Sequence, residues 1–231
     1  MITVDVFFGA LVALICGLDR VAILQSMISR PIVAAPLAAW VLGEPLVGLQ
    51  VGLLVELLWL ARLPVGAAVP PDDTQVAIAC SVMTIILGRS LPAATGIELV
   101  ILCLLIAIPL GKIGQYFEHY ARQYNVRLSK QVESAFERGS LMAAEWQHLR
   151  GLISFSLAAV ATYAVILSGG LALVPLLWPL LQEPLTFSSG WLALAMPLIG
   201  IAVILGTINV SRAITLFCTS FGMAFLLMWL V

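Results

Sequence analysis

Long apolar runs alternate with short polar interruptions along this chain, and the spacing of the interruptions divides it into four zones. Residues 2–18 are apolar apart from Thr3 and Asp5 and end at Asp19-Arg20, which predicts a first spanning or half-spanning helix. That stretch has no basic start and no small-residue cleavage site, so it reads as a retained helix. Residues 31–111 are choppier. Their charge-free runs are 31–43, 45–55, 74–88 and 99–111, punctuated by Pro31, Pro36, Pro45, Pro64, Pro70-Pro71 and Pro92. A run as long as 31–43 makes a helix of about 20 Å, short of the roughly 30 Å hydrocarbon core. Such pieces read as half-helices or re-entrant hairpins. Their non-helical backbone survives at membrane depth only when covered by protein or beside water. Residues 112–150 hold six of the eleven Lys and Arg, four Glu and both His, and predict one or two amphipathic helices outside the membrane. Residues 151–231 are apolar again, without charge over 151–182, 184–211 and 213–231. Gly169-Gly170, Pro175, Pro179, the stretch QEPLTFSSG at 182–190, Pro197, Gly200 and Gly206 are read as breaks there.

Composition turns this pattern into a fold class. The chain is 62% hydrophobic and 10% charged, with a mean hydropathy of +1.11, where a soluble domain carries about 25% charged residues. A barrel strand alternates apolar and polar over roughly ten residues, whereas these runs are apolar on every face. The expectation is an all-α integral membrane protein, a multi-spanning helical bundle with broken and re-entrant helices and an inverted repeat. It forms a single membrane domain over 1–231. Residues 1–111 are the first half with re-entrant hairpins, 112–150 a cytoplasmic amphipathic segment by the positive-inside rule, and 151–231 the second half. The short segments count as six to ten helices. Interruptions in both halves are what an internal repeat with a midplane site produces, and VLGEPL at 41–46 echoes LLQEPL at 180–185. The net charge of −1 argues against a nucleic-acid partner.

Candidate chemistry is sparse. Without a P-loop, an HExxH, a GxSxG or a metal-spaced His/Cys set, no catalytic residue, cofactor or metal ligand is predicted, and any catalyst belongs to another chain. His119 and His148 fall in the charged zone and read as solvated or packing residues. Cys16, Cys80, Cys103 and Cys218 stand singly in apolar runs and read as buried packing cysteines. Ionisable residues embedded in apolar sequence draw the attention, because a charge at membrane depth costs about 2.5–3.5 kcal/mol on insertion scales. Glu56, in VGLLVELLWLARL, is the sharpest. It is either a hydroxyl-binding or proton-coupled carboxylate, or half of a structural ion pair. Arg62 is the near partner in sequence, but six residues along one straight helix it faces elsewhere, so pairing needs a bend or another helix. Asp72 precedes an uncharged run and reads as a helix cap or a ligand contact. Gly66-Ala67-Ala68 permit close approach of backbone. Trp40 and Trp59 read as lipid-facing or interfacial anchors.

The stretch RPIVAAPLAAWVLGEPLVGLQVGLLVELLWLARLPVGAAVPPD, 30–72, carries a resemblance. Its Arg-Pro opening, the Leu-Gly-Glu turn at 42–44, the Gly-rich helix ending in Glu56 and the loop at 66–72 resemble the IIC subunit of the mannose/fructose/sorbose family of bacterial phosphotransferase systems. GLDR at 17–20, EWQHLR at 145–150 and MPLIGIAVIL at 196–205 extend it more weakly. The resemblance implies a multi-pass protein of the bacterial inner membrane. With a IID membrane subunit it carries a hexose of the mannose, fructose, sorbose or N-acetyl-amino-sugar class across the bilayer. Soluble IIA and IIB proteins relay phosphate from phosphoenolpyruvate, and IIB phosphorylates the sugar. LPVGAAVPPDD at 63–73 then reads as the tip of a re-entrant hairpin, and the candidate substrate-binding residues are Glu56, Asp72, Gly66, Ala67, Pro71 and Asp19. A homo-oligomer stays open. Two alternatives also stay open: a transport-inactive IIC-like scaffold or regulatory partner of phosphotransfer proteins, and an unrelated small-solute transporter.

Overall fold

The computed structural model describes residues 2–60, 69–91, 96–207 and 213–230, which form eight α-helices. They are α1 (Ile2–Val21), α2 (Pro31–Val41), α3 (Pro45–Trp59), α4 (Asp73–Ser90), α5 (Ile97–Gly111), α6 (Ile113–Glu137), α7 (Leu141–Thr207) and α8 (Ala213–Leu230). Helix α1 runs past Leu18 and takes Asp19-Arg20 into its last turn. Three stretches, Ile2–Val21, Ile97–Glu137 and Leu141–Trp191, are long and apolar enough to cross a membrane.

The short helices α2 and α3 form an antiparallel hairpin. Each opens on proline, which costs nothing at a first turn whose N–H groups lack helical partners. The turn between them is closed by Gly43 N–H to Trp40 O at 3.0 Å and Glu44 N–H to Ala39 O at 2.9 Å. That pattern is a Schellman motif, and Gly43 supplies the left-handed backbone it needs, with φ of 86°. The two helices pack nearly backbone to backbone. A Cβ on Gly48 would stand 2.4 Å from the Ala35 carbonyl oxygen, and one on Gly52 2.6 Å from that of Pro31.

Helix α4 is the axis of the bundle. Every residue from Thr74 to Leu87 is buried, under α1, α2, α3, α5 and α7. Helix α6 leaves the apolar bundle, exposes Tyr116 and Tyr120, and packs mainly on α7. A second Schellman turn ends it, with Gly139 at φ of 68° and Ser140 N–H on Ala135 O. The charged zone is therefore two helices, α6 and the first turns of α7.

Most of the breaks expected in 151–231 are not helix ends; Gly206 alone falls in the last turn of α7, which ends at Thr207 among the described residues. Pro175, Pro179, Pro184 and Pro197 lie inside α7. A straight helix would hold Ala159 and Gly200 about 60 Å apart. Yet Ala159 packs on Gly17 and Gly200 on Leu57, two positions joined through Asp19–Ser29 and Arg30–Glu56 contacts. Helix α7 therefore bends between them, where prolines remove backbone donors. The echo between VLGEPL and LLQEPL is likewise not a structural one: the first is the α2–α3 turn and the second is interior to α7. Gly43 enters the left-handed region freely, and Gln182 at the matching place does not. Two further expectations are corrected. Trp59 is buried in the core instead of facing lipid, while Trp40 is exposed. Cys218 is exposed, unlike Cys16, Cys80 and Cys103.

Candidate functional site

The site is built around the short connection between α1 and α2. Asp19, itself buried, accepts from Ser26 N–H at 2.7 Å, Ser26 Oγ at 2.7 Å and Ser29 N–H at 3.0 Å. These bonds hold a loop in which Leu24, Gln25 and Met27 have φ of 59°, 51° and 66°. A non-glycine residue pays about 1–2 kcal/mol in that region, and hydrogen bonds to a carboxylate are each worth about 1.5–3 kcal/mol. One side chain thus offsets most of the loop's strain.

Ser29 and Arg30 carry the connection onward. The Ser29 carbonyl accepts from Thr74 Oγ1 at 2.7 Å, tying the loop to the start of α4. The Arg30 guanidinium pairs with Glu56 Oε1, and Glu56 Oε2 accepts from Ile32 N–H at 3.4 Å. Glu56 therefore sits at the N-terminus of α2, where helix amides and dipole favour an anion. Only 11% of the Glu56 side chain is exposed, against 43% of that of Arg30.

Asp72 has two roles. Its Oδ1 accepts from Gln75 N–H at 3.0 Å, capping α4. The same oxygen lies 2.5 Å from Arg20 Nη1, a charge contact that lacks hydrogen-bond alignment. Arg20 Nη2 reaches Asp73 Oδ1 at 3.5 Å and donates to the Pro71 carbonyl at 3.4 Å. Gln115 Nε2 donates to Val69 O at 2.6 Å. The carbonyls flanking the double proline are thereby held by side chains of α1 and α6. Glu118 of α6, paired with Arg122 at 2.6 Å, closes the group around a void of about 20 Å³ beside Arg20 and Asp72, room for about one water.

Asp19, Glu56, Asp72 and Pro71 thus meet at one end of the bundle, linked through Ser29-Arg30 and Arg20. Gly66 and Ala67 lie outside the described residues, as do Arg62 and most of the proposed hairpin tip. Glu56 has its partner on another helix. Sequence reasoning missed Ser26, Ser29, Thr74 and Gln115, and did not pair Arg30 with Glu56. The signal was the Arg-Pro step: proline at a first helical position makes Arg30 the N-cap, pointed back over the start of α2. Chemically, a half-open guanidinium beside a carboxylate offers donors and acceptors a few ångströms apart. That suits neighbouring hydroxyls of a neutral polyol.

Comparison with known proteins agrees with this architecture. The family model described as PTS system sorbose-specific IIC component matches residues 3–230. The mannose-specific EIIC component of Escherichia coli (strain K12) is 29% identical over 169 residues, covering 73% of this chain and 60% of that protein. The sorbose-specific EIIC component of Lacticaseibacillus casei is 26% identical over 124 residues, 54% of this chain and 42% of the relative. The chain spans about 60% of the length of the mannose-specific relative. The cryo-EM structure of the mannose transporter ManYZ with microcin E492 matches with a TM-score of 0.60 and 25% identity, over 96% of this chain and 86% of that one. A second solved structure, described as a membrane protein, shares the fold at a TM-score of 0.68 and 23% identity, with the same coverage of each chain. An all-helical bundle matched to one family model from residue 3 to residue 230 leaves a single assignment: the chain belongs to the sorbose-specific IIC component family of the phosphotransferase system.

Proposed function

We propose that this chain is the sugar-translocating IIC subunit of a phosphoenolpyruvate-dependent phosphotransferase system in a bacterial inner membrane. It works with a IID membrane subunit, and soluble IIA and IIB proteins supply the phosphoryl group. Its cargo is a hexose of the mannose, fructose, sorbose or N-acetyl-amino-sugar class. The observation that carries the reading is Glu56, a nearly buried carboxylate in an apolar helix, paired across helices with the half-exposed Arg30. Asp19 and Asp72 position that pair by fixing the loop and the start of α4. Gly66, Ala67 and Pro71 are the further residues proposed to contact the sugar. The basic residues of 112–150 put this end of the bundle in the cytoplasm, the side on which IIB phosphorylates the sugar. Two exposed apolar side chains of α7, Leu180 and Phe187, face lipid or the IID subunit.

Radiolabelled hexose uptake in bacteria lacking their own sugar permeases tests this. The chain is expressed alone, then with its IID and IIB partners. Phosphorylated hexose accumulates only with the partners, and Glu56→Gln and Asp72→Asn each reduce it at least tenfold at unchanged membrane expression. Wild-type uptake in both variants refutes the site. No uptake of any hexose by a folded complex moves the assignment to the transport-inactive scaffold.

A further inference from the structure

The hairpin made by α6 and the first turns of α7 has two large grooves, and they differ in charge. One, of about 1080 Å³, is lined by Glu133, Glu145 and His148 and by no Lys or Arg among the described residues. The other, of about 730 Å³, is lined by Tyr116, Tyr120, Tyr124, Ile153 and Leu157, with Arg150 its one charged side chain among the described residues. That volume falls within the roughly 300–1,000 Å³ of small-ligand sites. Register fixes the depth of this second groove. Asn125 Nδ2 donates to Gly151 O at 3.5 Å, and Ser154 Oγ donates to Asn125 Oδ1 at 2.9 Å. A Cβ on Gly114 would stand 2.6 Å from Thr162 Cγ2. The two helices are therefore antiparallel, with α6 residues 114–125 beside α7 residues 151–162. Over that length α7 carries no charge, while α6 carries Glu118, His119 and Arg122. An apolar wall beside a polar one, rimmed by tyrosine, is the pattern of a bilayer interface.

The groove walls narrow the chemistry. Tyr116 and Tyr120 are largely exposed, and no hydrogen bond among the described residues occupies the hydroxyls of Tyr116, Tyr120 or Tyr124. Lys112, four residues before Tyr116, and Arg127, seven after Tyr120, continue the same helical face. Glu118, the only carboxylate between them in sequence, is buried on another face. Arg150 is exposed and forms no ion pair among the described residues. It touches Gln147 Oε1 at 3.5 Å and the Trp146 ring at 5.8 Å, which leaves most of its five donors free. Below it on α7, Ile153 and Leu157 are exposed hydrocarbon, Leu157 about 10 Å along the helix from Arg150. An occupant must therefore bring negative charge to one end and hydrocarbon to the other. We propose that this groove binds one anionic phospholipid of the surrounding leaflet. Its phosphate accepts from Arg150 and from the hydroxyls of Tyr120 and Tyr124, and an acyl chain lies along Ile153 and Leu157. The lipid ties the α6–α7 hairpin to the bilayer surface, independently of the chemistry at Glu56.

The test is a lipid titration followed by native mass spectrometry of the detergent-solubilised full chain, alone and co-purified with its IID subunit. The probes are phosphatidylglycerol and phosphatidylcholine with the same acyl chains, so that only net charge separates them. Wild type, Arg150→Gln, Arg150→Lys and Arg138→Gln are compared, the last removing an exposed cation of the same hairpin away from the groove. The expected result is phosphatidylglycerol bound at least fivefold more tightly than phosphatidylcholine. That preference is lost in Arg150→Gln, retained in part in Arg150→Lys and unchanged in Arg138→Gln. Equal binding of the two lipids to wild type overturns the site. So does a preference that survives Arg150→Gln, or one that Arg138→Gln weakens as much, because the charge of the whole hairpin is then what attracts the lipid. A preference present in the chain alone and abolished by the IID subunit makes the groove a protein interface, and also overturns the lipid site.

Discussion

Helices α4 and α8 are both 18 residues long, and they are opposites. Helix α4 carries Asp73, Thr74, Gln75, Ser81, Thr84 and Arg89, yet is buried without a gap from Thr74 to Leu87. Helix α8 carries no charge at all, yet Ile214 and Trp229 are 80% and 82% exposed. A soluble protein would place them the other way round. In a bilayer, hydrocarbon solvates α8 as well as protein does, so nothing drives it inward. The polar atoms of α4 have no such solvent and must find protein partners. Asp72 and Arg20, Thr74 and Ser29, and Gln75 Nε2 and the Ala13 carbonyl at 2.9 Å are those partners. Between these two helices, polarity marks the interior.

If that comparison holds, damage follows polar partners and close backbone contacts, not hydropathy. Asp72→Ala should do the most harm. It strips the cap from α4 and leaves Arg20 with the more distant Asp73 and the Pro71 carbonyl, at a cost of about 3 kcal/mol or more. The check is the melting temperature of the detergent-solubilised protein, which Asp72→Asn should partly restore because asparagine still caps. Next comes Gly52→Ala, whose new Cβ meets the Pro31 carbonyl at 2.6 Å. The α2–α3 hairpin must open to admit it, costing about 1–3 kcal/mol, read as loss of the monodisperse peak in size-exclusion chromatography on mild heating. Thr74→Val removes one bond from α4 to the loop and should cost about 1 kcal/mol, measurable in the same melt. The smallest effect belongs to α8. Gly222→Ala meets nothing within 4 Å and should leave the melt unchanged or raise it by up to about 1 kcal/mol through helix propensity. A destabilisation by Gly222→Ala as large as that by Gly52→Ala would break the comparison.

The hairpin shows how much could be read in advance. Pro31 and Pro45 mark helix starts in the sequence, and Gly43 marks the turn, because proline lacks an N–H and glycine lacks a Cβ. Those are local properties, and the structure follows them closely. Pro175, Pro179 and Pro184 look just as disruptive, but they bend α7 without ending it. Whether a proline ends a helix depends on whether a turn-former such as glycine follows at the right place and on what packs against the bend. The candidate site divides in the same way. Glu56, Asp19 and Asp72 are conspicuous as charges in apolar sequence. Their partners are not, because Arg30 lies 26 residues from Glu56 and Arg20 lies 52 from Asp72.

What the sequence by itself determined is the membrane class, the helical state, the proline-initiated helices and the acidic positions. Each follows from local composition or from the conformational limits of one residue type. The tertiary structure alone decided which helix is central, which faces are left exposed, and that Ser29-Arg30 links α1, α3 and α4. Those outcomes depend on satisfying buried donors, acceptors and charges across long sequence separations. No local pattern encodes such pairings, since a serine or arginine has the same sequence signature whether water, lipid headgroup or a distant carboxylate receives its hydrogen bond.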